Sequence, residues 1–533
     1  MANQRFEDNI YSNPRQTEAE VIYSLVAPEA KEIGVVTLPA GNPFSRPDQI
    51  INEVTNISAR IATFEPEHWR MDGSFVLPRA PTASNMEVGW WGALTSDASG
   101  VLTPAPEIVV TFPVAQSMAR FGIAFDEPGG NYCTDFEVIA YGSSGEVLLS
   151  ERLRDNASVY ASTENGAQNA VKVVYRLYRT DKPFRYPRVS ELDFGIVIKF
   201  TRKDITNLNL VTEANPAGTS FPVPQLNLTI NNMGRFDQLD PNSYAQYLFA
   251  RQAFQYRHGV ATPDTSLEWA YMGVYYLQSW SVSDDKVSFT AAGKTALLEN
   301  STFEGSTLQT YTVGALIRRV LDAAGTEYHL DPVLDNSPSV SGWFGKKNFR
   351  ALLANLAELS CCLCYENRQN TIEFVDIIQQ LEPLTEINYT NMLAKPSVKQ
   401  EPYYNGINLT EYTVTQESPE VQFSSAVTFY PAPWRDPLEP DFPYAVNLPC
   451  MVTGAGFPAF REWFLERKFA LLRKRLSCEI NWRQNPGLSV GDAASVQLNG
   501  AGRSIDMAVV KQTVNFGTSG LSGITKTAGD NVI

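Results

Sequence analysis

Residues 135–151, DFEVIAYGSSGEVLLSE, are the stretch that decides the fold. Short apolar runs flank a Gly-Ser-Ser-Gly turn, and this pattern is typical of two antiparallel strands in a β-hairpin. Similar runs precede and follow the hairpin: EIVVTF (107–112), ARFGIAF (119–125), AVKVVYRLY (170–178) and ELDFGIVIKF (191–200). Their spacing predicts an all-β sandwich from about residue 51 to 195.

The segments after the sandwich alternate between strand and helix patterns. Residues 207–299 again contain β-rich runs, which fit a barrel or a small sandwich. Thr312 can cap a helix that ends at Gly325, and a second helix follows Asn348, so residues 301–378 form a predicted α+β unit. Strands return after residue 386, interrupted by a predicted helix over 458–476, and the last residues, KTAGDNVI, have the pattern of a free tail.

Length and composition limit the class of protein. A chain of 533 residues exceeds the size of one hydrophobic core, so several domains are expected. The formal net charge is −15, which disfavours tight nucleic-acid binding. No window has the roughly 20 apolar residues of a membrane span, and the N-terminal residues lack the apolar core of a signal peptide. We therefore expect no membrane association and synthesis in the cytosol.

The residues that usually perform catalysis are scarce. The chain has three histidines, His68, His258 and His329, and a structural role is the favoured interpretation of each. No nucleophile elbow, zinc-protease helix, phosphate-binding loop or dinucleotide-binding turn occurs. Cys361, Cys362 and Cys364 resemble a metal cluster, but on a strand the first thiol would face away from the other two, so buried, reduced and metal-free cysteines are expected. The sequence predicts no enzyme and no cofactor.

Aromatic and arginine residues in two segments are the candidate binding residues. They are Trp90, Trp91, Phe184, Arg185, Tyr186 and Arg188. Exposed aromatic rings beside guanidinium groups suit stacking on sugar rings or burial at a protein interface. A sandwich core with a solvated basic loop explains the same residues equally well, so both interpretations stay open.

Residues 62–195 resemble a discoidin or galactose-binding-like sandwich of the kind inserted into phage and prophage tail proteins. The phrases that carry the resemblance are ATFEPEHWRMDGSFVLP (62–78), EVGWWGALTSD (87–97), PEIVVTF (106–112), ARFGIAFD (119–126) and YRTDKPFRYPRVSELDFGI (178–196).

From Pro216 onward the chain resembles hub-type tail proteins. This resemblance is carried by LNLTINNMGRFDQLDP (226–241), AYMGVYYLQSW (270–280), VSFTAAGKTALLEN (287–300), TVGALIRRVLDAAG (312–325), FRALLANLAELSCCLCYENRQNTIEFVD (349–376), NPGLSVGDAASVQL (485–498) and VVKQTVNFGTSGLSG (509–523).

Together the two resemblances imply a mainly β, multidomain architecture. The implied segments are an N-terminal arm and strand that completes the first barrel (1–45), the inserted galactose-binding-like β-sandwich (46–196), a first tube-like β-barrel (197–300), the α+β segment (301–378) and a second barrel with the long helix (379–533).

The resemblance also implies a function: a structural hub of a phage tail tip or baseplate. Such a hub forms a homo-oligomeric ring, with a trimer favoured and a hexamer as the alternative. It contacts the tail tube, distal-tail or other baseplate proteins. The net charge of −15 adds the hypothesis of an acidic lumen that lets DNA pass without specific binding. A receptor-binding tail protein that grips a host surface glycan is the second hypothesis, and a carbohydrate-active enzyme is a less favoured third. The expected location is the virion tail, assembled in the host cytoplasm.

Overall fold

The structure is a computed structural model. It describes residues 4–12, 15–26, 28–52, 60–68, 74–77, 87–118, 120–239, 243–264, 266–305, 309–342, 345–379, 382–413, 422–430, 442–454, 456–498, 503–517 and 520–529.

The chain is mainly β and multidomain, as the sequence predicts. It divides into two compact units, Met1–Thr206 with Thr229–Ala291, and Asn207–Leu228 with Ala292–Ile533. The finer division into five segments stays a prediction. In the part of the chain that the structure describes, no helix combines the length and apolarity needed to cross a bilayer.

The elements of the first unit begin with a short N-terminal helix. They are α1 (Gln4–Ile10), β1 (Thr17–Val26), α2 (Pro28–Ile33), β2 (Val35–Thr37), β3 (Arg60–Ile61), β4 (Phe75–Val76), β5 (Trp90–Trp91), β6 (Glu107–Met118), β7 (Gly122–Ala124), β8 (Cys133–Tyr141), β9 (Val147–Leu153), β10 (Tyr160–Ser162), β11 (Ala167–Thr180), β12 (Arg188–Val189), β13 (Glu191–Asp193) and β14 (Gly195–Phe200). The chain passes between the units within β15 (Ile205–Glu213) and β16 (Gln225–Asn231), and β17 (Ala253–Ala261), β18 (Leu267–Val282) and β19 (Lys286–Ala292) follow.

The predicted sandwich is present as packed sheets around one apolar core. Its largest sheet has the strand order β2-β6-β11-β8-β9, and a smaller sheet has the order β10-β7-β13. The predicted hairpin is confirmed, because β8 and β9 pair antiparallel with Ala140 opposite Leu149. Gly145 in the connecting turn has φ 83°, a conformation that glycine adopts at no steric cost. Buried aromatic residues fill the core, among them Trp90, Phe112, Phe125, Phe136, Tyr175 and Phe194.

The sandwich is an insertion between two adjacent strands. β1 pairs antiparallel with β14, and Val26 lies opposite Gly195, so the chain leaves this sheet and returns to it at neighbouring positions. On its other side β1 pairs with β17, which is followed by β18 and β19. The N-terminal strand thus belongs to this sheet, while its predicted role of completing a first barrel stays a prediction. Closure of the sheet into a barrel stays a prediction.

An ion-pair network connects the sandwich to that sheet. Glu127 of the sandwich lies 2.9 Å from Nη2 of Arg257 on β17 and 3.0 Å from Nζ of Lys199 on β14. Arg257 Nε also lies 2.7 Å from Oε1 of Glu20 on β1. Burial would raise the pKa of Glu127, yet Arg257 and Lys199 hold it below its ordinary value. Ionised Glu127 thus joins the inserted module directly to β17 and β14, and Arg257 extends the network to β1.

His258 on β17 gives the first unit a pH dependence. The side chain is fully buried, and burial, followed by the charge of Arg15, lowers the pKa of the imidazole to about 3. Because the unfolded chain has a pKa near 6.5, it binds a proton that the folded state excludes. The contribution of His258 to stability is therefore fully present above pH 6.5 and is lost as the pH falls toward 3.

We expect His258→Gln to reduce the slope of the free energy of unfolding against pH by about 1.4 kcal/mol per pH unit between pH 6 and 4. Urea unfolding of both proteins at several pH values measures this difference. Other titrating groups are common to the two proteins and cancel. Parallel profiles for the wild type and the variant would contradict the prediction.

The longer segment of the second unit begins at Ala292, the last residue of β19. Its elements are β20 (Thr302–Gly305), β21 (Gln309–Tyr311), α3 (Val313–Ala324), β22 (Tyr328–Leu330), β23 (Val340–Gly342), β24 (Gly345–Asn348), α4 (Phe349–Ser360), β25 (Leu363–Glu366), β26 (Ile372–Val375), β27 (Pro383–Ile387), β28 (Ser397–Gln400), β29 (Gly406–Thr413), β30 (Gln422–Phe429), β31 (Pro443–Val452), α5 (Phe457–Arg473), β32 (Leu476–Trp482), β33 (Ala493–Gln497), β34 (Ser504–Gly517) and β35 (Gly520–Gly529).

The two predicted short helices are confirmed together with their caps. Thr312 Oγ1 accepts a hydrogen bond from the Ala315 amide at 3.2 Å, and α3 ends at Gly325 with φ 64°. Asn348 Oδ1 accepts one from the Ala351 amide at 2.7 Å at the start of α4. Capping side chains satisfy amide groups that have no partner in the first helical turn. The apolar faces of both helices are buried in one core.

The C-terminal segments differ from the prediction in two places. α5 ends at Arg473 rather than at 476, because Leu476 already belongs to β32, which pairs with β35. The predicted free tail is wrong for residues 526–529, which continue β35 to Gly529 opposite Leu476. Residues 530–533 lie outside the described residues. In both places, pairing with a distant strand overrides the local pattern.

Candidate functional site

The six predicted binding residues lie close together, but most of them are buried. β5 and β12 pair antiparallel, with Trp91 opposite Arg188. Trp90, Trp91 and Arg188 are at most 2% exposed, and Arg185 is 5% exposed. Phe184 is exposed, and Tyr186 is half-buried. The structure thus corrects the expectation of exposed rings for both tryptophans.

The indole rings are buried because the interior satisfies their polar atoms as well as their apolar surface. Trp90 Nε1 donates a hydrogen bond to the Pro39 carbonyl at 3.2 Å, and Trp91 Nε1 donates one to the Val88 carbonyl at 3.1 Å. Phe44 packs edge-on against the ring of Trp91, with centroids 5.2 Å apart. Burial of a tryptophan has little free-energy cost from its N–H group when that group has a hydrogen-bond acceptor.

Arg188 is the centre of a buried charge cluster, here called the Arg188 cluster: Arg188, Glu65 and Asp126. Its guanidinium carbon lies 3.9 Å from the centroid of the Trp91 ring. Nη1 donates to Asp126 Oδ2 at 2.7 Å, and Nη2 contacts Glu65. The three side chains are at most 3% exposed. Because each carboxylate belongs to a different loop, the cluster fixes the relative positions of those loops.

Further hydrogen bonds satisfy the two carboxylates. Asp126 accepts from the Gly129 amide at 2.9 Å and from Asn131 Nδ2 at 2.8 Å, while Glu65 accepts from the Tyr186 amide at 2.8 Å. A buried ion pair is tolerated only when hydrogen bonds occupy its remaining lone pairs. The two carboxylates meet that condition, while Arg188 Nε has no hydrogen-bond partner among the described residues. The cluster forms the floor beneath the loops.

Three loops meet above this floor. The first contains residues 62–68, the second residues 92–99 and the third residues 181–187. The Ser96 amide donates to the Arg185 carbonyl at 2.9 Å, and the Phe184 amide donates to the Asp97 carbonyl at 3.3 Å. The bond from the Tyr186 amide to Glu65 connects the third loop to the first. Hydrogen bonds thus connect the third loop to both of the other loops.

Each loop presents one apolar side chain to solvent. Phe64 is fully exposed, Leu94 is 65% exposed and Phe184 is 45% exposed. We call these three side chains the three-loop surface. Phe64 and Leu94 were missed by the sequence analysis, because an isolated apolar residue in a loop carries no signal of its exposure. Exposed apolar side chains on adjoining loops mark a contact surface more often than scattered ones do.

Arg185 follows Phe184 in the third loop and has unused donors. Its Nε and Nη1 atoms are buried and have no hydrogen-bond partner among the residues that the structure describes. A guanidinium stays protonated at any physiological pH, and buried donors without partners cost free energy. Both atoms are inaccessible to solvent, so a ligand oxygen would reach them only after a movement of the loops.

His68 beside the floor is neutral. The half-buried ring has its pKa lowered by burial and then by the charge of Arg188. Nε2 lies 3.1 Å from the carbonyl oxygen of Ile61, which it can reach only as a donor. This arrangement orients the ring toward the backbone and fits the predicted structural role.

The three clustered cysteines do not lie on one strand as predicted. Cys361 follows α4 with φ 50°, Cys362 lies in the turn, and only Cys364 belongs to β25. Burial raises the pKa of Cys361 to about 11 and that of Cys364 to about 12, so both thiols are protonated. Within the described ranges, no group of three or more His, Cys, Asp or Glu residues is placed to hold a metal ion. That the cysteines bind no metal stays a prediction.

Comparisons with known proteins show structural but not sequence similarity. No protein-family model matches the chain, and no curated protein matches it. Among solved structures, the chain is similar to the 43 kDa tail protein of prophage MuSo2 from Shewanella oneidensis, with 13% identity, 62% of this chain and 95% of that chain covered, and a TM-score of 0.40. It is also similar to the prophage tail protein gp18 from Listeria monocytogenes, with 11% identity, coverage of 62% and 91%, and a TM-score of 0.38.

A third similarity covers a smaller part of the chain. It is to a chitosan-binding module of a chitosanase/glucanase from Paenibacillus, with 15% identity, 20% of this chain and 72% of that chain covered, and a TM-score of 0.16. At TM-scores below 0.5, these likenesses carry no argument about fold or function.

Proposed function

We propose that this chain is a structural hub of a phage-like tail tip or baseplate, which joins the tail tube to the tip and carries a glycan-binding sandwich. The observation that carries the proposal is the order of the parts along the chain. An N-terminal strand enters a sheet, a sandwich is inserted before the next strand, and an α+β segment and a second group of strands follow. This is the order that the sequence resemblance implies for a hub.

An exposed sheet edge in the second unit supports association between copies. β28 is the last strand in the order β34-β35-β32-β28, and all four of its residues are exposed. Nearby apolar side chains are also exposed, including Leu393, whose amide donates to the Asn481 carbonyl of β32, and Val398 on β28 itself. An exposed strand edge with apolar neighbours is a template for pairing with another chain.

A ring of three copies is the proposed assembly. Two β-rich regions in each chain would let three copies present six similar units to a sixfold tail tube, which an isologous dimer would not do. The net charge of −15 fits a lumen that repels DNA and lets it pass without binding. The wild type is expected to be a trimer located on the tail axis.

Native mass measurement and a map of the particle test this assembly. Val398→Asp is expected to weaken the trimer by introducing a charge at the β28 edge, while Val114→Asp, at an exposed position of β6, is the matched control. Six copies would indicate a distal-tail ring instead of a hub. A wild-type monomer that is absent from the tail axis would contradict the proposal.

Glycan binding by the sandwich is the second part of the proposal. The specific observation in its favour is the three-loop surface, whose apolar side chains are exposed on loops that hydrogen bonds join. An aromatic ring such as Phe184 or Phe64 can stack on a sugar face, whereas the buried Nε and Nη1 donors of Arg185 would need a movement of the loops to reach a sugar oxygen. This arrangement replaces the predicted stacking on Trp90 and Trp91, which are buried.

We expect Phe184→Ala and Phe64→Ala to abolish binding to any glycan that the full chain retains on an array. Val114→Ala removes a similarly exposed apolar side chain from β6 and is expected to leave binding unchanged. An array without a bound glycan, or equal binding by all variants, would contradict this part of the proposal and leave the hub intact. The proposal assigns no catalysis; the third hypothesis, a carbohydrate-active enzyme, predicts sugar release in the same assay.

A further inference from the structure

The two connections between the sandwich and its sheet are joined by three buried charged side chains. Lys31 lies on α2, which follows β1, and Glu191 and Asp193 lie on β13, which precedes β14. Because Val26 of β1 is opposite Gly195 of β14, α2 and β13 are the entry and exit of the inserted module. We call Lys31, Glu191 and Asp193 the neck cluster.

The geometry of the neck cluster places an amine between two carboxyl groups. Lys31 Nζ lies 2.9 Å from Asp193 Oδ1 and contacts Glu191 Oε1. The same amine donates a hydrogen bond to the Asn52 carbonyl at 2.8 Å. Both carboxyl side chains are 0% exposed, and the lysine side chain is 10% exposed. No bulk water separates the nucleophile from the carboxyl carbons.

The charges of the neck cluster do not balance if all three groups are ionised. One ammonium and two carboxylates would leave a net negative charge in a buried site, which is strongly unfavourable. Glu191 Oε2 and both carboxyl oxygens of Asp193 also accept no hydrogen bond from any residue that the structure describes, although Asp193 Oδ1 lies within ion-pair distance of Lys31 Nζ. Ordinary ion pairing therefore leaves the cluster unsatisfied.

Protonation of Glu191 relieves this imbalance. Burial raises the pKa of Glu191 well above its ordinary value, which Lys31 opposes and Asp193 reinforces. Burial opposes the charged form of Lys31, but Asp193 and Glu191 outweigh burial and raise the pKa of the amine above its ordinary value, so Lys31 rests as an ammonium. Buried Tyr160 and Tyr175 are close enough to Asp193 that its charge, after burial, raises the pKa of their hydroxyls. The cluster thus holds an ammonium group between the carboxyl groups of Asp193 and Glu191 in a low-dielectric site.

We propose that the neck cluster forms an intramolecular isopeptide bond between Lys31 Nζ and Asp193 Cγ, with Glu191 as the general acid and base. Lys31 first transfers its ammonium proton to the Asp193 carboxylate. The amine lone pair attacks Cγ, while Glu191 protonates the oxygen that becomes negative. Glu191 then takes a proton from the attacking nitrogen and returns it to a hydroxyl group on Cγ.

The C–O bond to that hydroxyl breaks and releases water. The remaining hydroxyl returns its proton to Glu191, so the products are one amide, one water molecule and an unchanged Glu191. No oxidant, metal or cofactor takes part. The bond closes residues 31–193 into a covalent ring at the base of the sandwich, so the two connections cannot separate when the module is pulled. The inference is independent of the proposed hub function.

Tryptic peptide mapping of the purified full-length chain tests the bond. The cross-linked protein is expected to yield residues 16–60, uncleaved at Lys31, joined to residues 189–199, with a combined mass lower by one water, about 18 Da. Complete recovery of the linear peptides 16–31, 32–60 and 189–199 would overturn the proposal, because the neck cluster would then be an ion pair only.

Three variants assign the roles. Lys31→Arg retains the charge but cannot form the amide, and it is expected to give linear peptides only. Glu191→Gln is expected to slow bond formation by about 100-fold or more, since it lacks the acid. Lys172→Arg, on β11 of the same sandwich, is the matched control and should retain the linked peptide. Cross-linking at the wild-type rate in Glu191→Gln would overturn the role of Glu191, and the wild-type map decides the bond itself even if a variant folds poorly.

Discussion

Arg188→Met is expected to lower the free energy of unfolding of the first unit by about 3–5 kcal/mol. The substitution keeps the length and apolar volume of the side chain but leaves Glu65 and Asp126 buried without their cation. It also removes the stacking on Trp91, whose ring centroid lies 3.9 Å from the guanidinium carbon. Urea unfolding measures the loss, and hydrogen exchange of the β5 and β12 amides localises it.

Lys182→Met is the matched control for Arg188→Met. Lys182 belongs to the third loop, its side chain is 57% exposed, and its Nζ lies 3.7 Å from Asp181. An exposed ion pair contributes about 0–1 kcal/mol, so little change is expected. Adding Glu65→Gln and Asp126→Asn to Arg188→Met should recover part of the loss, because neutral amides cost less to bury than unpaired carboxylates. Equal losses from Arg188→Met and Lys182→Met would contradict a structural role for the Arg188 cluster.

Trp91→Ala is expected to cost about 3–5 kcal/mol, as is usual when a large buried side chain is truncated. The indole packs against Phe44 and lies under the Arg188 guanidinium, so its removal leaves a cavity and weakens the floor of the three loops. Phe184→Ala removes a ring that is 45% exposed and should change stability by only about 0.5 kcal/mol. Thermal unfolding of the two variants beside the wild type makes the comparison.

The difference between these two variants decides how binding data are interpreted. A loss of glycan binding in Trp91→Ala would reflect a disordered loop platform, whereas the same loss in a folded Phe184→Ala would reflect a missing contact. If Trp91→Ala were as stable as the wild type, the assignment of Trp91 to the floor would be wrong.

Local patterns were sufficient for the hairpin of β8 and β9 and for the two capped helices α3 and α4. In each case the decisive interactions connect residues only a few positions apart: a Gly-containing turn, the Thr312 and Asn348 caps, and apolar side chains on one helical face. Such interactions can be inferred from sequence, because the residues that interact are close together in the chain.

The burial of the candidate site residues could not be predicted from local sequence patterns. The sequence analysis named Trp91 and Arg188 among the candidate binding residues, and the two lie opposite each other on paired strands. Whether they face solvent or the core depends on Glu65 and Asp126, which are distant in sequence and were not considered. Phe64 and Leu94 joined the site only because three loops meet there.

The sequence by itself determined the strands of the sandwich, the two short helices and the mainly β class, because turns, caps and periodicity act within a few residues. Only the tertiary structure decided that α5 ends at Arg473 and that residues 526–529 form a strand. The reason is that β32, which begins at Leu476, pairs with β35 over residues 526–529. It also decided that Lys31 meets Glu191 and Asp193, because that contact requires the chain to leave a sheet and return to it beside the point of departure.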